Sequence, residues 1–155
     1  MYGGSYEPIE GRVVVDNGEI VAVEEASVDS EDVIAPAFVN GHTHIGDAVA
    51  KDAGATLDPV ECLNPPDSLK FKVLESASRE EHLISIRTAA RYMQRTGKNA
   101  YMDFREGGIE GVELLQQATE GLEIQTMIIG RNTLDVLHAG ADGYGPSLAG
   151  VYTRR

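Results

Sequence analysis

The sequence predicts an α/β fold in which a short hairpin precedes a parallel sheet. Two observations carry this. From residue 33 onward, apolar β-rich runs alternate with stretches of helical periodicity. That pattern builds parallel strands joined by right-handed crossovers. Ahead of it, two β-branched runs flank Asp16-Asn17-Gly18, and Asn-Gly supplies the positive φ angles of a tight hairpin turn.

The elements follow in order. Residues 12–24, RVVVDNGEIVAVE, are the hairpin, and the acidic ASVDSEDV of 25–32 is a connection. Val33 to His44 reads as a buried strand, irregular at its start because Pro36 cannot donate to a ladder. Residues 46–70 hold Gly46, Gly54, Pro59, Pro65 and Pro66. They form a long connection with room for one short helix, and loops of that length are usually functional or disordered. Ser78 and Glu81 make an S-x-x-E capping box. Leu83, Ile86, Ala90 and Met93 recur at helical spacing, and Gly97 closes that helix. NAYMDF is the next strand, a helix covers Glu110 to Glu120, and IQTMIIG is a third buried strand. Thr133 to His138 makes one or two helical turns, ADGYG a short fourth strand, and LAGVYTRR the next helix. The expected division is a hairpin unit, 1–32, and an α/β unit, 33–155.

Composition excludes several classes. The 25 acids outnumber the 13 bases, for a formal charge of −12. No basic footprint for nucleic acid is present. Nine of the bases are Arg and four are Lys, which suits a high-salt cytoplasm and an ordinary acidic protein alike. The single cysteine, Cys62, allows no intrachain disulfide. The apolar stretch Val33 to Val39 is far shorter than the roughly 20 residues of a membrane helix. The first residues, MYGGSYEPIEGR, lack the basic and apolar regions of a signal peptide. The expectation is a cytoplasmic protein with a small-molecule substrate and neither a membrane nor a nucleic-acid partner.

His42 and His44 are the chemical signal. Alternation along a strand puts both on one side with Thr43 opposite. At that spacing both imidazoles can reach one cation at about 2.0–2.1 Å. The pair lies where an apolar strand gives way to a loop, the end at which parallel α/β folds collect their sites.

The flanking residues carry a resemblance. Pro36-Ala37-Phe38-Val39-Asn40-Gly41-His42-Thr43-His44 resembles the first barrel strand of the amidohydrolase superfamily, with Ala37 where glycine is usual. Asp103-Phe104-Arg105-Glu106-Gly107-Gly108 looks like the second-strand end of the archaeal, deaminase-like branch. The resemblance implies an N-terminal hairpin of a small β-sandwich followed by a (β/α)8 TIM-type barrel, of which this chain holds about strands one to four. It implies a metal-dependent hydrolase acting on C–N bonds other than peptide bonds, deaminase- or amidase-like, in which a metal activates water. His42 and His44 would be the first ligands of one divalent metal, zinc first, with iron or manganese also suited to imidazole. In the family, further ligands come from a carboxylated lysine on strand four, histidines on strands five and six, and an aspartate on strand eight. No lysine follows Lys98, which argues for a mononuclear, deaminase-like site.

A barrel takes about 250 residues, so the chain reads as an N-terminal half. The other reading is a truncated, non-catalytic metal-binding or assembly module. Either way, self-association or a partner supplying the missing half-barrel is expected, since unpaired edges invite it. His82 and His138 read as structural. Arg105 is a substrate-binding candidate through its planar fork, with Asp103 beside it on the face opposite Met102 and Phe104. Asp47 could orient a histidine or touch substrate. Asn40 would share the histidines' face. The glycines after Glu106 could offer backbone N–H groups to an anion. Cys62 and Asn64-Pro65-Pro66-Asp67 could form a lid. No catalytic acid or base is assigned.

Overall fold

A computed structural model describes residues 8–58, 62 and 68–146. The chain divides into two compact units, Met1–Pro36 and Ala37–Arg155. In the first, β1 (Gly11–Asp16) and β2 (Glu19–Glu25) pair antiparallel. Asn17 at φ 49° and Gly18 at φ 83° make the turn, both in the left-handed region that a type I′ hairpin demands.

The second unit holds β3 (Phe38–Thr43), β4 (Lys98–Arg105), β5 (Gln125–Gly130) and β6 (Gly143–Tyr144). They form one parallel sheet in the order β3-β4-β5-β6. Among the described residues, the helices that accompany it include α1 (Leu69–Ser76), α2 (Arg79–Arg95) and α3 (Gly108–Thr119). Short 3₁₀ turns span Ile45–Ala50 and Leu134–Leu137.

The capping box forms as the sequence predicts: Glu81 N–H donates to the Ser78 hydroxyl, and Ser78 N–H to the Glu81 carboxylate. Ile86 and Ala90 of α2 pack with Val112, Leu115 and Ala118 of α3 onto Tyr101 of β4 and Ile128 of β5. The core therefore lies on one face of the sheet. On the other face Met127 is exposed, and Met102 and Phe104 are only partly covered.

Two expectations are corrected. The partial (β/α)8 barrel is not what the described residues form. They make an open sheet of four strands, whose outer strands each have one neighbour. Closure requires every strand to be flanked on both sides, and β6, at two residues, extends the ladder little. The second correction follows from the first. The run from Val33 to His44 is not a buried strand: it is ordered as β only from Phe38, and Phe38 and Val39 are 67% and 66% exposed. An edge strand with a neighbour on one side only lacks the second flank that would cover them.

The expected helix at 148–155 and the Asn64-Pro65-Pro66-Asp67 segment lie outside the described residues. Among those described, no helix is long and apolar enough to cross a membrane. Helix α1 starts at the very end of the 46–70 connection and runs beyond it, through residues to which the sequence pattern assigns no element.

Candidate functional site

The strand-end histidines converge. His42 Nε2 and His44 Nε2 are 3.3 Å apart, with ring centroids 5.3 Å apart. Phe104 backs them, its ring 4.5 Å from that of His42 and 6.0 Å from that of His44. Two nitrogens bound at about 2.05 Å to one tetrahedral cation stand roughly 3.3 Å apart, so the spacing fits a shared metal. Without a cation it suits an N–H···N hydrogen bond between the rings.

Local geometry explains the aim. Asn40 pairs with Tyr101 and Thr43 with Asp103, so three steps on β3 face two on β4. This bulge resets the alternation. Asn40 turns to the helix side, its amide 3.9 Å from Met93 Sδ, rather than sharing the histidines' face as the simple period implies. Thr43 also points to the helix side, where its hydroxyl lies 2.9 Å from Asp103 Oδ1. The same oxygen accepts the Ile45 N–H. Asp103, 0% exposed, thus grips the residues on either side of His44 from behind. Burial pushes its carboxyl above the ordinary range, against the hydrogen bonds from Ile45 and Thr43 that hold it down.

Glu106, the first residue past β4, meets His44 from the other ring nitrogen: Oε1 is 3.1 Å from Nδ1. An Nδ1–H donating there leaves the Nε2 lone pair facing His42, the arrangement in which a carboxylate fixes a ligand's tautomer. The same Oε1 takes Lys70 Nζ at 3.2 Å and Arg131 Nη1 at 3.3 Å. Lys70 also pairs with Asp47 Oδ2 at 2.8 Å. Burial alone would raise the Glu106 carboxyl; the His44 hydrogen bond and the nearby positive charges overcome it and hold the group at about 2. The His44 ring is raised in turn, mainly by its hydrogen bond to Glu106.

The predicted residues therefore separate. His42 and His44 come together. Asp47 sits nearby but bonds Lys70 rather than a histidine. Asp103 and Arg105 lie on the helix side, away from the face that carries His42 and Phe104. A methyl on Gly46 would fall 1.4 Å from Arg105 Nη1, and one on Gly111 3.1 Å from Arg105 Nε, so that guanidinium is packed beneath the turn after His44. His82 bonds the Leu74 carbonyl at 2.9 Å, a structural role. Sequence reasoning missed the side chains of Glu106, Lys70 and Arg131. The available signal was position, since Glu106 and Arg131 each immediately follow a parallel strand, as His44 does.

A cleft of about 750 Å³ opens between the Ile45–Ala50 turn and α2, lined by Thr43, His44, Ala48, Thr88 and Tyr92 among others. It touches His44 but neither His42 nor Glu106, so it lies beside the pair rather than over it. Among the described residues, no group of three or more His, Cys, Asp or Glu side chains is placed to hold a metal.

Comparison with known proteins supplies relatives in archaea. The chain is 35% identical over 139 residues to a protein of Methanothermobacter thermautotrophicus named "Putative aminohydrolase", covering 85% of this chain and 36% of that protein. A protein of Archaeoglobus fulgidus with the same name is 34% identical over 121 residues, covering 75% of this chain and 35% of its own. An uncharacterized protein of Methanocaldococcus jannaschii is 27% identical over 137 residues, covering 84% of this chain and 36% of its own. The chain spans about a third of the length of these curated relatives. No family model matches it, and no solved structure matches it significantly. At this level the chain is related to proteins named as hydrolases.

Proposed function

We propose that His42 and His44 ligate one divalent cation, zinc first and iron or manganese next, in a hydrolase that cleaves C–N bonds other than peptide bonds, as a deaminase or amidase does. One observation carries the reading: two Nε2 atoms 3.3 Å apart at the carboxyl end of a parallel strand. The aminohydrolase names of the relatives support the reaction class. A cation held there would supply the Lewis acidity that makes water a nucleophile near neutral pH. The chain's own residues do the rest. His42 and His44 present lone pairs, Phe104 supports both rings, Glu106 orients His44, and Asp103 anchors the backbone around it.

Metal content of the purified chain, measured by mass spectrometry, tests this. The expected result is near-stoichiometric uptake, abolished in His42→Ala and in His44→Ala. Metal retained by both variants, or none bound by the parent, rejects the ligand assignment.

A second reading, a non-catalytic metal-binding or assembly module, is favoured by one specific fact. Catalytic zinc takes about three protein ligands plus water, and two converge among the described residues. Hydrolysis of a simple amide or cyclic amidine by the metal-loaded chain separates the readings. Uptake without turnover favours the module.

A further inference from the structure

His44 follows β3, Glu106 follows β4 and Arg131 follows β5, so three consecutive parallel strands each deliver their next residue to one point. Glu106 Oε1 joins the other two, at 3.1 and 3.3 Å. Arg131 commits a single Nη1–H there, its one side-chain hydrogen bond among the described residues. A guanidinium carries five donors in a rigid fork, and this one is 17% exposed. Lys70 contrasts with it, since its ammonium is engaged by both Asp47 and Glu106. The uncommitted nitrogens of Arg131 are not sealed in the interior, so an acceptor arriving from solvent can reach the free edge of the fork. Asn132, in the left-handed region at φ 75°, turns the backbone sharply just after Arg131.

We propose that Arg131 anchors an oxyanion of the substrate, a carboxylate or phosphate whose paired oxygens match the fork. The idea rests on the histidine pair marking the reacting end. One carboxylate oxygen separates Arg131 from His44, so anchor and cleaved bond belong to one small molecule and lie only a few bonds apart in it. The substrate class is then an anionic amide, amidine or aminated ring. This places the anion contact on Arg131 and not on Arg105, whose guanidinium is packed against Gly46 on the other face.

The test is titration of the ¹⁵N-labelled full chain with sodium sulfate and, separately, sodium acetate at constant ionic strength. The Arg131 Nε–H and Asn132 amide resonances are followed. Saturable shifts are expected, with affinity weakened by at least about tenfold in Arg131→Gln, the loss of one charge-assisted contact. Tighter sulfate binding points to a phosphate, and tighter acetate binding to a carboxylate. Should Arg131→Gln fail to fold, Arg131→Lys keeps the charge but not the fork and is expected to bind more weakly. Shifts that stay linear with both anions, or an affinity unchanged in the folded variant, overturn the proposal. The titration is repeated on the His42→Ala/His44→Ala chain, where saturation is expected to persist. Persistence there, together with no metal uptake by the parent chain, would sink the hydrolase reading while leaving the anion site standing.

Discussion

Glu106 Oε1 lies 3.1 Å from His44 Nδ1, and that contact decides which end of the imidazole is free. Replacing Glu106 by Gln keeps the size and removes the anion. The expected outcome is zinc affinity about 10–100-fold weaker, read by competition with a chromophoric chelator at pH 8. Unchanged affinity would mean that packing against Phe104 orients the ring without help.

The same carboxylate governs behaviour in acid. Its folded value of about 2 is below the ordinary 4.5, so its ionised form is favoured by folding. The contribution is fully present above about pH 4.5 and is lost as pH falls through the folded value. Its size is on the order of 2–3 kcal/mol. Urea unfolding from pH 6 to pH 2.5 is expected to show this loss in the parent and a flatter profile in Glu106→Gln. Parallel profiles would contradict it.

Asp103 accepts from the Thr43 hydroxyl and the Ile45 amide. Asp103→Ala leaves the Ile45 N–H unmatched in a dry site, while the Thr43 hydroxyl keeps the Met102 carbonyl, and is expected to cost about 1–3 kcal/mol. Asp103→Asn keeps a carbonyl acceptor and relieves a buried charge, so its cost should be well under half of that. Equal losses in thermal unfolding would show that the charge, rather than the acceptor, matters.

Gly46→Ala drives a methyl into the Arg105 guanidinium. An overpacked interior typically loses about 1–3 kcal/mol. Because Gly46 lies two residues past His44, the variant is also expected to weaken metal uptake. A stable variant with parental uptake would show that Arg105 moves aside freely.

Among the described residues the outer edge of β3 has no strand partner, and Phe38 and Val39 are exposed upon it. Such an edge templates pairing. Concentration-dependent self-association is expected in sedimentation, reduced by Val39→Lys. A monomer at every concentration would remove this expectation.

Local signals made much of the fold legible. Asn17-Gly18 needed only its own turn chemistry, and the Ser78–Glu81 box only three residues. The IQTMIIG and NAYMDF runs declared their strands. What failed depended on neighbours remote in sequence. The burial of Val33 to Val39 turned on whether a second strand flanks β3. The face taken by Asp103 was a choice between two phases of one alternation. It was settled by contacts to Thr43 and Ile45 some 58–60 residues away. The histidine pair was readable because its one-residue spacing is local. Glu106, Lys70 and Arg131 were not, because only the fold brings strand ends and α1 to one oxygen.

Asp47, Lys70, Glu106 and Arg131 carry two charges of each sign, so the cluster beside His44 is neutral within a chain of net charge −12. The far field of such a chain gathers cations and turns anions away until they come within about 8–10 Å, where salt no longer screens the local pattern. This sets an order of arrival. A divalent ion would approach with the field and leave the mouth locally positive, and an anionic molecule would be admitted only afterwards. Raising ionic strength would then slow the first arrival and ease the second.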